Sequence, residues 1–337
     1  LDDKTAVKAS TFDGHTLNQW LEIPSNIALT KLELGIEKLK PAAVGIRIQL
    51  PLSDTTFSCL KKRFASWKHE LPIVPQLQPD TYVAEDFERL ECLHRATSLQ
   101  LCYRLDTMTQ SNWSAKGTVR FQFLKEFNRL ERLTLRAPKN QRLIFPPDFP
   151  VWQSLRKLIL LDIEEEALAV TQLCPHLEKL NLTRLHHGSL GALGKNLCLS
   201  ELDIGGCMNL DFTGLKNIEA RKVHLTEIVG HPKNLKAIGE SKGIEALRLI
   251  RIAAMTTLPD FIQGTLQWLS LVEMRNLASV ASLRGGALKE FHLLSCPKLN
   301  AESLKVLATL SSLTTVTCGP RRAKILRPLL SPSVNLS

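Results

Sequence analysis

The sequence predicts an α/β repeat solenoid built on one parallel sheet, and three observations lead there. A segment L-x-x-L-x-L, or a close relative of it, returns nine times between residues 130 and 318. The steps from first position to first position are 25, 22, 22, 21, 24, 22, 22 and 25 residues, the spacing of a stacked repeat. The chain is also aliphatic, with 44% hydrophobic residues but only 6% aromatic ones, so thin aliphatic layers have to fill its core.

Taken in order, residues 1–42 carry Leu29-Leu32-Leu34 only 14 residues ahead of the next motif. That is too short for a full repeat, and the segment reads as an N-terminal cap over the first layer. Residues 43–129 read as irregular, longer repeats with Ala43-Ile46-Ile48, Lys68-Leu71-Ile73 and Ala96-Leu99-Leu101 at steps of 25, 28 and 34. Between the first two, Phe57, Leu60, Phe64 and Trp67 recur at helical spacing behind Asp54 as a cap, with Lys61, Lys62 and Arg63 outward. The segment from Ala84 to Ala96 reads as a second helix, and residues 103–120 read as an insertion loop.

Residues 130–318 hold the regular motifs, from Leu130-Leu133-Leu135 to Leu313-Val316-Cys318. The two closing positions lie two residues apart, so alternate side chains of a short strand enter the core and those between face outward. In residues 319–337, Gly319-Pro320 breaks the last strand, Lys324 to Leu330 supplies a closing turn or two of helix, and Ser331 to Ser337 reads as a tail.

The nine segments resemble the leucine-rich repeat family over at least residues 130–318. The resemblance implies a parallel sheet on the concave side, with helix-backed repeats near the N-terminus giving way to short loop-backed ones. Many members place Asn or Cys three residues after the last strand leucine, where it bonds the turn backbone. Here only Cys207 and Cys296 fit, and Ile163, Leu185, Ile228, Ile252 and Met274 stand at the equivalent places, so the array is a divergent one. Leu258-Pro259-Asp260-Phe261-Ile262, Gly205-Gly206-Cys207 and Leu294-Ser295-Cys296-Pro297 look like the sensor repeats of plant intracellular immune receptors. The stand-alone irregular array is similar to bacterial effectors that act inside host cells.

Catalytic chemistry finds no converging residues. Gly191-Ala192-Leu193-Gly194-Lys195-Asn196 lacks the spacing and the Ser/Thr of a phosphate loop. His186-His187 and Cys174-Pro175-His176 lack a second pair at ligand spacing. No cysteine has Asp two residues later, which sets the chain apart from the bacterial ubiquitin ligases that carry such repeats. No catalytic residue, cofactor or metal is therefore assigned.

The eight cysteines are scattered one by one, which points to an intracellular reducing compartment. The opening Leu1-Asp2-Asp3-Lys4 lacks the apolar segment of a secretion signal, and no run reaches membrane-helix length. A net charge of +10 favours acidic partners, in short basic groups such as Lys61-Lys62-Arg63 rather than one polybasic block.

The outward columns of the strands name the candidate partner-binding residues. Arg132, Arg136, Lys157, Lys179 and Arg184 form a basic sector with Asp162 as its acidic exception. Arg248, Ile250, Trp268, Val272 and Leu294 form an amphipathic sector, and His224 and His292 lie in the central column. An exposed Trp beside Arg is the composition of an interface hot spot, although Trp268 could instead cover the core edge.

The expected function is a non-catalytic scaffold that binds a protein with an acidic and apolar docking surface. The alternatives are the substrate-recognition part of a ubiquitin ligase, a ligand-sensing domain of an immune receptor, and a nucleic-acid-binding protein. The last draws on net charge alone.

Overall fold

Each of the nine regular motifs forms one strand, and its two closing positions enter the core, except that Cys318, which closes the ninth, is half-buried. The computed structural model describes residues 10–12, 15–17, 19–23, 44–50, 53–65, 72–77, 98–103, 118–120, 124–125, 127–136, 142–145, 149–185, 188–195, 197–261 and 264–337. The architecture is α/β and solenoid-like, with parallel strands following one another in chain order, and it divides into two compact units.

The first unit comprises residues 1–161 and 173–176. Its strands are β1 (Ser10–Phe12), β2 (His15–Leu17), β3 (Gln19–Ile23), β4 (Val44–Leu50), β5 (Pro72–Leu77), β6 (Ser98–Tyr103), β7 (Thr118–Arg120), β8 (Arg132–Arg136), β9 (Arg142–Ile144) and β10 (Lys157–Leu161). A parallel ladder runs β3-β4-β5-β6-β8-β10, while β1 and β2 form an antiparallel hairpin and β7 pairs with β9. Phe145, Phe149 and Trp152 pack edge to face in this unit, with ring centroids 4.8 to 6.2 Å apart.

Four expectations change here. The helix α1 (Asp54–Ala65) starts at Asp54, but the cap is Ser53, whose hydroxyl accepts the Thr56 amide proton at 3.2 Å. Leu60 is buried as the pattern requires, whereas Phe57 is half-buried. Second, Ile73 pairs with Leu99 and with Ile46, so the repeat there is displaced by two residues from Lys68-Leu71-Ile73. A slip of one residue turns every side chain to the opposite face, but a slip of two preserves the faces, and alternation alone cannot choose between the two registers. Third, Thr118–Arg120 is a strand, so the segment 103–120 is not loop throughout. Fourth, the first strand of the parallel ladder is Gln19–Ile23, inside the segment read as a cap. Leu29-Leu32-Leu34, Phe64, Trp67 and the Ala84 to Ala96 helix lie outside the residues or side chains described.

The second unit comprises residues 162–172 and 177–337. It holds β11 (Lys179–Thr183), β12 (Cys198–Gly205), β13 (Glu219–Thr226), β14 (Ala246–Ile250), β15 (Trp268–Val272), β16 (Glu290–Leu294), β17 (Thr315–Cys318) and β18 (Asn335–Leu336), all parallel and in chain order. The expected tail is part of this sheet. Asn335 and Leu336 pair with Thr315 and Val316, and the Ser337 amide donates to the Val316 carbonyl at 3.0 Å. The closing helix starts at Pro320, four residues earlier than expected, because proline is pre-set for a helix's first turn.

Aliphatic layers fill the second unit. Leu180, Leu202, Val223, Leu247, Leu269 and Phe291 are each at most 1% exposed. The position where an Asn ladder would stand is core: Ile163, Leu185, Ile228, Ile252 and Met274 are fully buried. Cys207 and Cys296 share that position and donate to strand-end carbonyls, Gly205 at 3.3 Å and Leu294 at 3.4 Å. Burial raises both thiols above their usual range, and it pushes Cys174 in the first unit up to about 12.

Just before that position the chain turns through the left-handed region, at Asp162, Arg184, Gly206, Glu227, Arg251, Glu273 and Ser295. Six of these seven are not glycine, and such a conformation costs a non-glycine residue about 1 kcal/mol or more. Two contacts hold it. The amide of Glu273 donates to the Leu294 carbonyl at 2.8 Å, with equivalent bonds at Asp162, Arg184, Gly206, Glu227 and Arg251, and at all seven turns the next residue enters the core. Among the described residues, no helix is long and apolar enough to cross a membrane.

Candidate functional site

The register of the second unit turns the outward columns into a grid. The rows Lys179-Glu201-Lys222-Ala246-Trp268-Glu290-Thr315, Asn181-Asp203-His224-Arg248-Ser270-His292-Thr317 and Thr183-Gly205-Thr226-Ile250-Val272-Leu294 run across the strands, each residue beside its cross-strand neighbour. This follows from strict alternation within each strand, since residues between two core positions have only the opposite face available.

Over β11 to β13 most charged groups of the grid face an opposite one, while Lys222 is exposed and bonds to no other described residue. Lys179 lies 2.8 Å from Glu201, and His224 Nδ1 lies 2.8 Å from Asp203. The Thr183 hydroxyl donates to Asn181 at 2.8 Å. At the adjacent turn Arg184 donates from its Nε and, at 2.8 Å, from a terminal nitrogen to the Asp162 carboxylate. That bidentate bond raises the Arg184 pKa above its ordinary value. Lys179 and Arg184 are therefore engaged by carboxylates within the second unit. Arg132 and Lys157 are cross-strand neighbours in the first unit, with Arg136 beside Leu161, and Arg136 and Lys157 also have partners.

Over β14 to β16 the character of the face reverses. Arg248 is exposed and bonds to no other described residue. Ile250 and Val272 are half-buried, and their row ends on Leu294, which at 55% exposure is the most exposed large hydrophobic among the described residues. Trp268 is half-buried, its ring tilted against His292 with centroids 5.2 Å apart. It thus covers its neighbour and still offers an edge. His292 Nε2 is 3.6 Å from Glu290, too long for a hydrogen bond. Three strands and five residues span about 10 by 13 Å, a fraction of the roughly 800 Å² that one partner contributes to a standard interface.

Glu201, Asp203 and His224 are the one described group whose metal-ligand atoms fall within 4.8 Å of one another. The Lys179 ammonium already stands at 2.8 Å from Glu201, and His224 Nδ1 lies 2.8 Å from Asp203 Oδ1, which has no hydrogen-bond partner among the described residues. Of the other histidine and cysteine candidates, Cys174 is buried, His176 is exposed, and His186 and His187 lie outside the described residues.

Sequence reasoning named Asp162 and Arg184 but missed that the left-handed turn residues form a fourth column that also holds Glu227, Arg251 and Glu273. Arg251 bridges Glu227 at 2.5 Å and Glu273 at 3.8 Å, and Arg184 pairs with Asp162 in the same column. The available signal was the series Asp162, Arg184, Gly206, Glu227, Arg251 and Glu273 at one repeat position, acidic and basic in turn apart from the glycine, which becomes visible only when the motifs are stacked. No protein-family model and no curated protein matches this chain, so the reading of its face rests on the geometry above.

Proposed function

We propose that the chain is a leucine-rich-repeat recognition scaffold that docks another protein on the outward sheet face of its second unit, without catalysis of its own. The observation that carries this reading is the contrast along one sheet. Exposed Leu294, half-buried Ile250, Val272 and Trp268, and the unpaired guanidinium of Arg248 stand together, while over β11 to β13 Lys179 is paired with Glu201, His224 faces Asp203, and the unpaired Lys222 has no such apolar company. Apolar and guanidinium groups gain binding energy when a partner desolvates them, and ion-paired rims gain little. The repeat motifs and their common register support the family reading, and the buried thiols suit a reducing compartment.

The test is affinity capture followed by titration of the captured protein against folded variants. Trp268→Ala and Arg248→Ala are expected to weaken the complex by about 2 kcal/mol, mainly through faster dissociation. Unchanged affinity in both would remove this face as the docking site.

A further inference from the structure

Beyond Leu294 the face continues into a groove of about 1020 Å³. Its floor is the turn after β16, from Leu293 to Pro297, and its walls are the turn after β15 at Glu273 and Arg275 and the start of the helix Pro320–Leu326. The volume reaches the upper end of the roughly 300–1,000 Å³ that swallows a drug-sized ligand, so a short stretch of chain fits.

We propose that this groove receives an extended, acidic and aliphatic peptide segment of the partner, with aliphatic side chains on Leu294 and Pro297 and carboxylates against Arg275 and Arg321. The proposal rests on reading the second unit as a recognition surface, and it names the chemistry of what binds there.

Charge is the first argument. Arg275 and Arg321 are exposed and bond to no other described residue. Arg322 spends its donors on the neutral carbonyls of Leu299, Cys296 and Pro297, so its positive charge stays uncompensated. Among the described residues the single carboxylate lining the groove, Glu273, is shared with Arg251. Guanidinium groups bind carboxylates in a planar, two-pronged geometry, which makes acidic side chains the complementary partner.

Preorganisation is the second. Arg322 ties the helix start to the turn after β16, and the Cys296 thiol donates to the Leu294 carbonyl at 3.4 Å. A wall pinned from both sides loses little entropy when it is filled. The third argument is apolar area. Leu294 is 55% exposed, and Pro297 and Pro320 line the same groove, a floor that a small hydrated anion cannot cover. Among the described residues no aromatic side chain lines it, so a nucleic acid strand would find no stacking platform there.

The probes are three fluorescein-labelled nine-residue peptides, titrated by polarisation against the full chain at physiological salt. One alternates Asp and Leu, one Lys and Leu, and one Asp and Ser. The Asp/Leu peptide should bind at least tenfold more tightly than either control. The double charge reversal Arg275→Glu with Arg321→Glu should weaken it more than tenfold, and Leu294→Ser about fivefold. Circular dichroism checks that these surface variants stay folded.

Trp268→Ala should leave peptide affinity unchanged, which separates the groove from the sheet face. If the peptide fails to bind while Trp268→Ala still loses the captured partner, the groove proposal falls and the sheet-face reading stands. Equal binding of the Asp/Ser peptide, or displacement by inorganic phosphate or a single-stranded oligonucleotide at matched charge, overturns the proposal in favour of a bare anion site. Indifference to the charge reversal overturns it as well.

Discussion

The strands β11 to β13 and β14 to β16 belong to one unit, share one register and bury the same kinds of aliphatic side chain, yet they present opposite surfaces. Over the first three, Lys179 and Glu201, His224 and Asp203, and Arg184 and Asp162 form pairs. Over the second three, Arg248 stands unpaired beside Trp268, Val272 and Leu294. A count of basic residues favours the first region as a steering surface, and pairing narrows that lead, since of its grid lysines only Lys222 bonds to no other described residue. Cations already facing carboxylates at 2.8 Å carry little field to a partner, whereas a lone guanidinium among apolar groups has energy left to gain.

The comparison presumes that both regions stack equally well behind the sheet, and two glycines test that with the largest expected effect. A Cβ on Gly214 would stand 2.0 Å from the Leu190 carbonyl oxygen, and one on Gly239 would stand 2.0 Å from that of Asp260. Gly214→Ala and Gly239→Ala should each cost about 3 kcal/mol in denaturant unfolding, because backbone cannot yield as a flexible side chain does. Loss in one variant alone would mean that the two regions differ in their stacking as well as in their surface.

A smaller effect belongs to Asp211, in the return segment behind β12. Its carboxylate accepts from the Thr213 amide at 2.9 Å, the Thr213 hydroxyl at 2.7 Å and Asn234 at 2.9 Å. Those bonds, led by Asn234, hold its pKa below the usual aspartate value. A carboxylate depressed in the folded state stabilises above its unfolded pKa of about 3.9, and the contribution fades as pH falls through the folded value. Asp211→Ala should therefore lower neutral-pH stability by about 1 kcal/mol and flatten the acid limb of the unfolding curve. An unchanged acid limb would assign that limb to other carboxylates.

The smallest effect sharpens the surface contrast directly. Lys179→Ala should change stability by no more than about 0.5 kcal/mol and leave partner dissociation untouched, because its pair with Glu201 is exposed to solvent and salt. A Lys179→Ala loss equal to that of Trp268→Ala would erase the distinction between the regions.

The positions of the nine regular strands were legible because an alternation of period two, repeated at steady steps, leaves one way to bury both closing residues. The displaced register at Ile73 was not legible, since a two-residue slip buries the same face. Nor was β18 at Asn335–Leu336, a two-residue strand too short to show alternation, whose pairing depends on an edge left open by β17. The outward columns of the candidate site could be read from the motif alone. What lay across each column, whether Asp203 beside His224 or Ser270 beside Arg248, depended on the step from one repeat to the next.

By itself, the sequence determined the repeat, the aliphatic layers and which side chains face outward, because those follow from local periodicity and from the need to keep apolar groups from water. Tertiary structure alone decided which charges are cancelled. An ion pair between Arg184 and Asp162, or between Lys179 and Glu201, needs neighbours 22 positions apart to meet within hydrogen-bonding distance. Tertiary structure likewise set the left-handed turns at Asp162, Arg184, Glu227, Arg251 and Glu273, where the next layer's carbonyl and the buried residue that follows outweigh a backbone preference none of these residues has on its own.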